Sequence, residues 1–185
     1  MKDKLGDIGF REGRVIETLL VTGGRREPNI APIGVWREDG SYWSKIHKES
    51  DTYQNLLDLD VCTANIVGVE QIVRGLVGSL PVEDGVVEGA DAVMRLEVVE
   101  FVDRDVWCLT RYSVDEVDVY DRCARGLCRA ELSLLESAIH ASRVDLERSH
   151  SEFIEHYREI VRKTGDSFEK ELFMELVDCL RRGDL

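Results

Sequence analysis

Short apolar runs divided by turn residues occupy most of the first two thirds of this chain, and apolar residues at helical spacing occupy the last third. The run 14–22 (RVIETLLVT) is rich in β-branched residues and stops at Gly23-Gly24, which predicts a strand. The run 29–37 (NIAPIGVWR) predicts a second strand. Pro32 within it cannot donate to a sheet ladder and so belongs at an edge or a bulge. Glu38-Asp39-Gly40 supplies a hairpin turn, and 41–47 returns as a third strand. Ser50-Asp51-Thr52 has the side-chain acceptors that cap a helix, here ending near Asp58. A buried-type strand over 60–67 (DVCTANIV) follows, then a helix over 69–80. The acidic, Gly-containing stretch 81–89 reads as a surface loop. Two long strands, 92–102 and 106–119, flank a polar turn at Asp103-Arg104-Asp105.

Near Arg122 the pattern changes. Helical spacing runs over 127–143, 149–164 and 167–182, with the last two helices split at Gly165. Ser149 with Glu152 resembles a capping box, whereas Ser167 is followed three residues on by Lys170. Strands first and helices last predict an α+β arrangement rather than alternating βαβ units. We read 10–121 as a β-domain and 122–185 as a C-terminal helical region.

Composition narrows the possible chemistry. With 185 residues, 43% of them hydrophobic and 33% charged, the chain can bury a real core. Its net charge of −13 disfavours nucleic acid, whose binding rests on neutralising phosphates. The five cysteines, Cys62, Cys108, Cys123, Cys128 and Cys179, show no C-x-x-C spacing, so neither a zinc site nor a disulfide framework is expected. No signal peptide and no span of about 18 apolar residues is legible, which predicts a cytoplasmic protein away from membranes. No G-x-G-x-x-G or P-loop pattern occurs, and no Ser/His/Asp or Cys/His set has spacing suited to a nucleophilic site.

The informative stretch is 29–65. Asn29-x-Ala31-Pro32-Ile33-Gly34 is followed one hairpin later by Ser50-x-Thr52-Tyr53-x-Asn55-Leu56, and Asn65 lies in the next strand. Together these resemble the FMN-binding split-barrel superfamily of flavin reductases and pyridoxamine-phosphate-oxidase-like proteins. Arg129-Ala130, Glu136-x-x-x-His140-Ala141-Ser142-Arg143, Tyr157-Arg158 and Lys163-Thr164-Gly165 follow in order, which makes the chain similar to the archaeal-type domain of unknown function 447. The resemblance implies a split β-barrel with a C-terminal helical layer, FMN as cofactor, a homodimer with flavin sites at the interface, and no fixed substrate. It implies cofactor contacts from Asn29, Ala31, Pro32, Ile33, Lys48, Ser50, Thr52, Tyr53, Asn55 and Asn65.

The residues suit that chemistry. A helix opening at Ser50 offers backbone N–H groups and a positive dipole end to a phosphate, with Lys45 and Lys48 just upstream. Ala31 permits close approach, and Pro32 interrupts the ladder. Asn65 in an apolar strand reads equally as a satisfied core amide. His140 and Arg143 share a helix face and, with Arg129, form either a polar contact between helices or a substrate-anion site in the flavin pocket. Strand-type apolar residues such as Val98, Val99, Phe101, Val106 and Trp107 exceed what one barrel interior absorbs, which fits a two-fold dimer. The reading is an oxidoreductase acting on a small molecule. The alternatives are an FMN carrier or sensor without catalysis, and a helical interaction module on a vestigial barrel.

Overall fold

The computed structural model describes residues 4–23, 28–121, 124–141 and 149–182. A short helix α1 (Lys4–Asp7) precedes β1 (Val15–Thr22), β2 (Asn29–Glu38), β3 (Ser41–His47), α2 (Asp51–Asp58), β4 (Val61–Ile66), α3 (Val69–Leu76), β5 (Val82–Glu83), β6 (Val86–Val87), β7 (Ala92–Arg104) and β8 (Trp107–Val119). Helices α4 (Arg129–Ala141), α5 (Ser149–Thr164) and α6 (Ser167–Arg182) follow. The fold class is α+β, a split β-barrel followed by helices.

Two compact units divide the chain. One comprises Ile16–Leu127 with the segment that ends at Glu12; the other comprises Gly13–Val15 with the chain from Cys128 onward. In the first unit six strands close in the order β1-β2-β3-β8-β7-β4, with β4 returning to β1. Leu19 pairs with Asn65 and Thr22 with Cys62 across that closing seam. Alternation along each strand fills the interior with Ile16, Leu20, Val35, Ile46, Ala64, Met94, Cys108 and Tyr112, all buried. The Tyr112 hydroxyl meets its interior partner Ser44 Oγ at 2.8 Å. A satellite cluster of Leu19, Val21, Val67, Leu80 and Val87 takes in Ile30 and Ile72. Helix α3 approaches it closely at Gly75, where a Cβ would lie 3.2 Å from Leu19.

Several sequence expectations shift. Helix α3 stops at Leu76 rather than Leu80, and Val69, Val73, Leu76 and Val77 face outward, so its apolar stripe is only partly spent on this unit. The expected loop 81–89 is a small hairpin, β5–β6, turning at Asp84-Gly85 with both residues at positive φ. The polar turn between the long strands lies at Asp105-Val106, and β7 runs on through Arg104. The β2–β3 ladder begins at Val35, so Pro32 lies outside that ladder.

In the helical unit, Arg14 is not part of β1. Its guanidinium is 2% exposed and pairs with Glu131 at 2.7 Å and Glu169 at 3.5 Å. A capping box opens α6 one residue before Ser167, and the side chain of Ser149 lies outside the described residues. Asp166 Oδ1 accepts from the N–H groups of Phe168 and Glu169, and Glu169 Oε2 accepts from the Asp166 N–H at 2.8 Å. No helix among the described residues is long and apolar enough to cross a membrane.

Candidate functional site

The junction of β3, α2 and β2 is built by short-range hydrogen bonds. Where β3 ends, the N–H and hydroxyl of Ser50 both donate to the His47 carbonyl, at 3.0 and 2.7 Å. Ser50 Oγ in turn accepts from the Tyr53 N–H at 3.2 Å, which makes Ser50 the N-cap of α2. The Gln54 side chain donates to the Lys48 carbonyl at 3.1 Å and pins the turn from the other side. The helix therefore opens with its N–H groups and dipole directed at this turn.

Two Asn–Thr pairs fasten α2 to the barrel. Asn29 Nδ2, at the start of β2, donates to Thr52 Oγ1 at 2.8 Å. Asn55 Nδ2 donates to both the carbonyl and the hydroxyl of Thr22, at the end of β1, at 3.3 Å each. The T-x-x-N spacing thus puts one residue against each of two strands, a helical turn apart. Thr52 and Asn55 are buried, and the hydroxyl of Ser50 is spent on its cap, so these three side chains position the junction. Asn65 is committed further: Nδ2 donates to the carbonyls of Leu19 at 3.2 Å and Gly85 at 3.0 Å, and Oδ1 accepts from the Val87 N–H at 3.0 Å. Of its two sequence readings the geometry favours the satisfied core amide, which here holds the β5–β6 hairpin.

Ala31, Pro32, Ile33 and Lys48 are half-buried, and the backbone of 29–34 lies beyond the β3 ladder. Lys48 Nζ sits 3.0 Å from Asp103, whose carboxylate raises its pKa above the ordinary value. The Tyr53 ring packs edge-on against Phe101 at 5.7 Å, and burial raises its phenol pKa. This surface therefore combines a helix N-terminus, a cation, aromatic edges and a half-buried strand segment. Its donor set suits a phosphate joined to a flat ring.

The second set of expected residues lies in the helical unit. Arg129 is exposed at the first turn of α4. His140 stacks on Phe153, with ring centres 4.6 Å apart and planes 16° apart, and lies 6.0 Å from Tyr157. Arg143 falls outside the described residues. Sequence reasoning missed a cavity of about 470 Å³ in the barrel unit, lined on one side by Val21 and Thr22 and on another by the hairpin turn. Its only early signal was the Asp84-Gly85 dipeptide.

Residues 16–120 match the N-terminal domain, and 128–178 the remaining part, of a protein family of unknown function, DUF447. An FMN-bound protein of that family, MM1853 from Methanosarcina mazei, superposes with a TM-score of 0.56 at 25% identity, covering 94% of this chain and 98% of its own. An FMN-binding protein from Thermus thermophilus with bound p-hydroxybenzaldehyde gives 0.46 at 17% identity, covering 57% of this chain and 71% of its own. A split-barrel-domain protein from Shewanella frigidimarina gives 0.49 at 13% identity, covering 58% and 68%. No curated protein matches the chain in sequence. With more than half its length matched by the N-terminal domain alone, the chain belongs to the DUF447 family.

Proposed function

We propose that this protein binds FMN at the β2–α2 junction and uses it as an oxidoreductase on a small molecule. The observation that carries this reading is the end-to-end similarity to an FMN-bound member of the same family. Bound FMN would supply electron or hydride transfer, and the chain supplies position and electrostatics. The α2 N-terminus with Lys48 would hold the phosphate. Ala31, Pro32 and Ile33 would line the ring, with Tyr53 at its edge, and Asn29 would join them from its bond to Thr52. Ser50, Thr52 and Asn55 hold that frame, and we assign Asn65 to the hairpin rather than to the ligand. We take 10–121 as the flavin-holding barrel and 122–185 as the helical part, whose Arg129, His140 and Arg143 remain candidates for a substrate anion.

The reading includes a homodimer. Val99, Val106 and Trp107 are exposed on β7–β8, as is the apolar stripe of α3, and a second copy would cover such surface. Cys62, Cys108, Cys128 and Cys179 are free thiols, which supports a cytoplasmic setting.

Mass spectrometry of ligand released on denaturation is expected to find FMN. Only FAD, or no affinity for added FMN below ~100 μM (about −5.5 kcal/mol), would refute the reading. Bleaching of the bound flavin by NADH or NADPH separates the oxidoreductase from a carrier. Sedimentation equilibrium should give twice the 21.0 kDa chain mass with two FMN per dimer.

A further inference from the structure

The cation at the opening of α2 is held from a second element. The tip of the β7–β8 hairpin lies against the turn between β3 and α2. The Lys48 N–H donates to the Val106 carbonyl at 3.0 Å. The Trp107 ring meets His47 edge-on at 4.9 Å, and Lys45 Nζ lies 4.6 Å from the centre of the same ring. Phe101 packs against Tyr53, the third residue of α2. These contacts fix the tip, and Asp103 with it, beside the helix end to which the flavin reading assigns the phosphate.

Asp103 Oδ1 lies 3.0 Å from Lys48 Nζ. A lysine ammonium is a compact charge on a flexible stem, so it can turn to a carboxylate or to a phosphate. Both anions on one ammonium would stand within a few ångströms of each other, where like charges repel. The pair is open to water, with Asp103 77% exposed and Lys48 29%. An ion pair so exposed is weak. It therefore lowers the affinity of an anionic ligand without closing the site.

We propose that Asp103 competes with the flavin phosphate for Lys48 and so sets how tightly the site holds its ligand. The inference rests on the flavin reading above and adds to it a residue that opposes binding. Removing the carboxylate leaves Lys48 to the phosphate. The expected gain is about three- to tenfold, the scale on which a weak surface pair keeps a binding group from its competent state. The gain acts through charge and so belongs to the phosphate, not to the ring.

Titration of the full chain with FMN and with riboflavin, followed by flavin fluorescence, tests this. Asp103→Asn should bind FMN about three- to tenfold tighter at low salt, with the gain fading as salt rises and riboflavin unchanged. Asp105→Asn is the charge control. It removes the same charge from the adjoining turn, and asparagine tolerates the positive φ found there, so FMN affinity should stay close to that of the wild type. In a Lys48→Met background, Asp103→Asn should gain nothing. Asp103→Ala is the second arm should Asp103→Asn lose its circular-dichroism melt. Unchanged or weaker FMN binding in Asp103→Asn, an equal gain for riboflavin, an equal gain in Asp105→Asn, or a gain that survives Lys48→Met would each overturn the proposal. If neither the wild type nor any variant binds FMN, the flavin reading falls and this inference with it. FMN binding that ignores Asp103 overturns this inference alone.

Discussion

The barrel and the helical unit bury polar atoms in opposite ways. The barrel buries neutral groups, among them Thr18, Ser44, Asn55 and Asn65, and ties them to backbone or to one another. The helical unit buries charge: Arg14 and Glu169 are both almost fully enclosed, with Asp166 beside them. A neutral amide in a sheet can replace water with one or two carbonyls at small net cost. A buried ion must find its counter-ion, and losing one partner strands the other. The barrel's polar groups therefore set register locally, whereas the helical unit depends on one arginine supplied from more than a hundred residues away in sequence.

The largest expected effect follows from that dependence. Arg14→Met should destabilise the helical unit by about 3–5 kcal/mol, the usual cost of leaving the other member of a buried ion pair, here Glu169, without its partner. Urea unfolding followed by hydrogen exchange should show α4 to α6 losing protection first. A cost below about 1 kcal/mol would remove the contrast between the units. The same cluster gives a pH test. Burial, followed by the hydrogen bond with Asp166, holds the Glu169 carboxyl above its ordinary 4.5 in spite of Arg14. A raised carboxyl pKa means that the folded state keeps a proton the unfolded state has lost. Its contribution to stability is then greatest below the unfolded value and falls as pH rises through the folded one. The stability difference between the wild type and Glu169→Gln should therefore shift against the wild type as pH rises from 4.5. A flat difference would place Glu169 at its ordinary value.

Asn65→Ala is the matching test in the barrel. It deletes the anchor for Gly85 and Val87 and leaves the Leu19 carbonyl short of a donor. The expected loss is about 1–3 kcal/mol, with exchange of the 82–87 amides released and the barrel ladders retained. An equal loss of protection around the whole barrel would mean that Asn65 sets the closing seam rather than the hairpin.

These two residues also show what the sequence could reveal. The barrel strands and α2 were legible because alternation, D-G turns and a serine cap are local signals. Arg14 was not, because it adjoins a run of strand formers and nothing local marks it as a counter-ion for Glu131 and Glu169. The capping box at Asp166 was passed over because Ser167 drew the helix start to itself, whereas the chain starts its turn one residue earlier and uses Asp166 with Glu169. At the junction, the motif residues were legible but their partners were not. T-x-x-N fixes a spacing on the helix and says nothing of the strands opposite, so the bonds of Thr52 to Asn29 and of Asn55 to Thr22 could not be read from it.

The smallest expected effect separates framing from contact at that junction. Ser50→Ala removes the acceptor of the Tyr53 N–H and the donor to His47, and should cost about 1 kcal/mol of stability. Under the flavin reading it also weakens FMN, because the helix N-terminus loses its fixed direction. Lys48→Met leaves the cap in place and removes only charge, so its effect on FMN should fade as salt is raised. Riboflavin, which lacks the phosphate, should bind both variants as it binds the wild type. Titration of each variant with both flavins at low and high salt reads all of these outcomes together. A salt-independent loss in Lys48→Met, or an equal loss of riboflavin, would move the phosphate away from α2 and leave the Ser50 turn as framework alone.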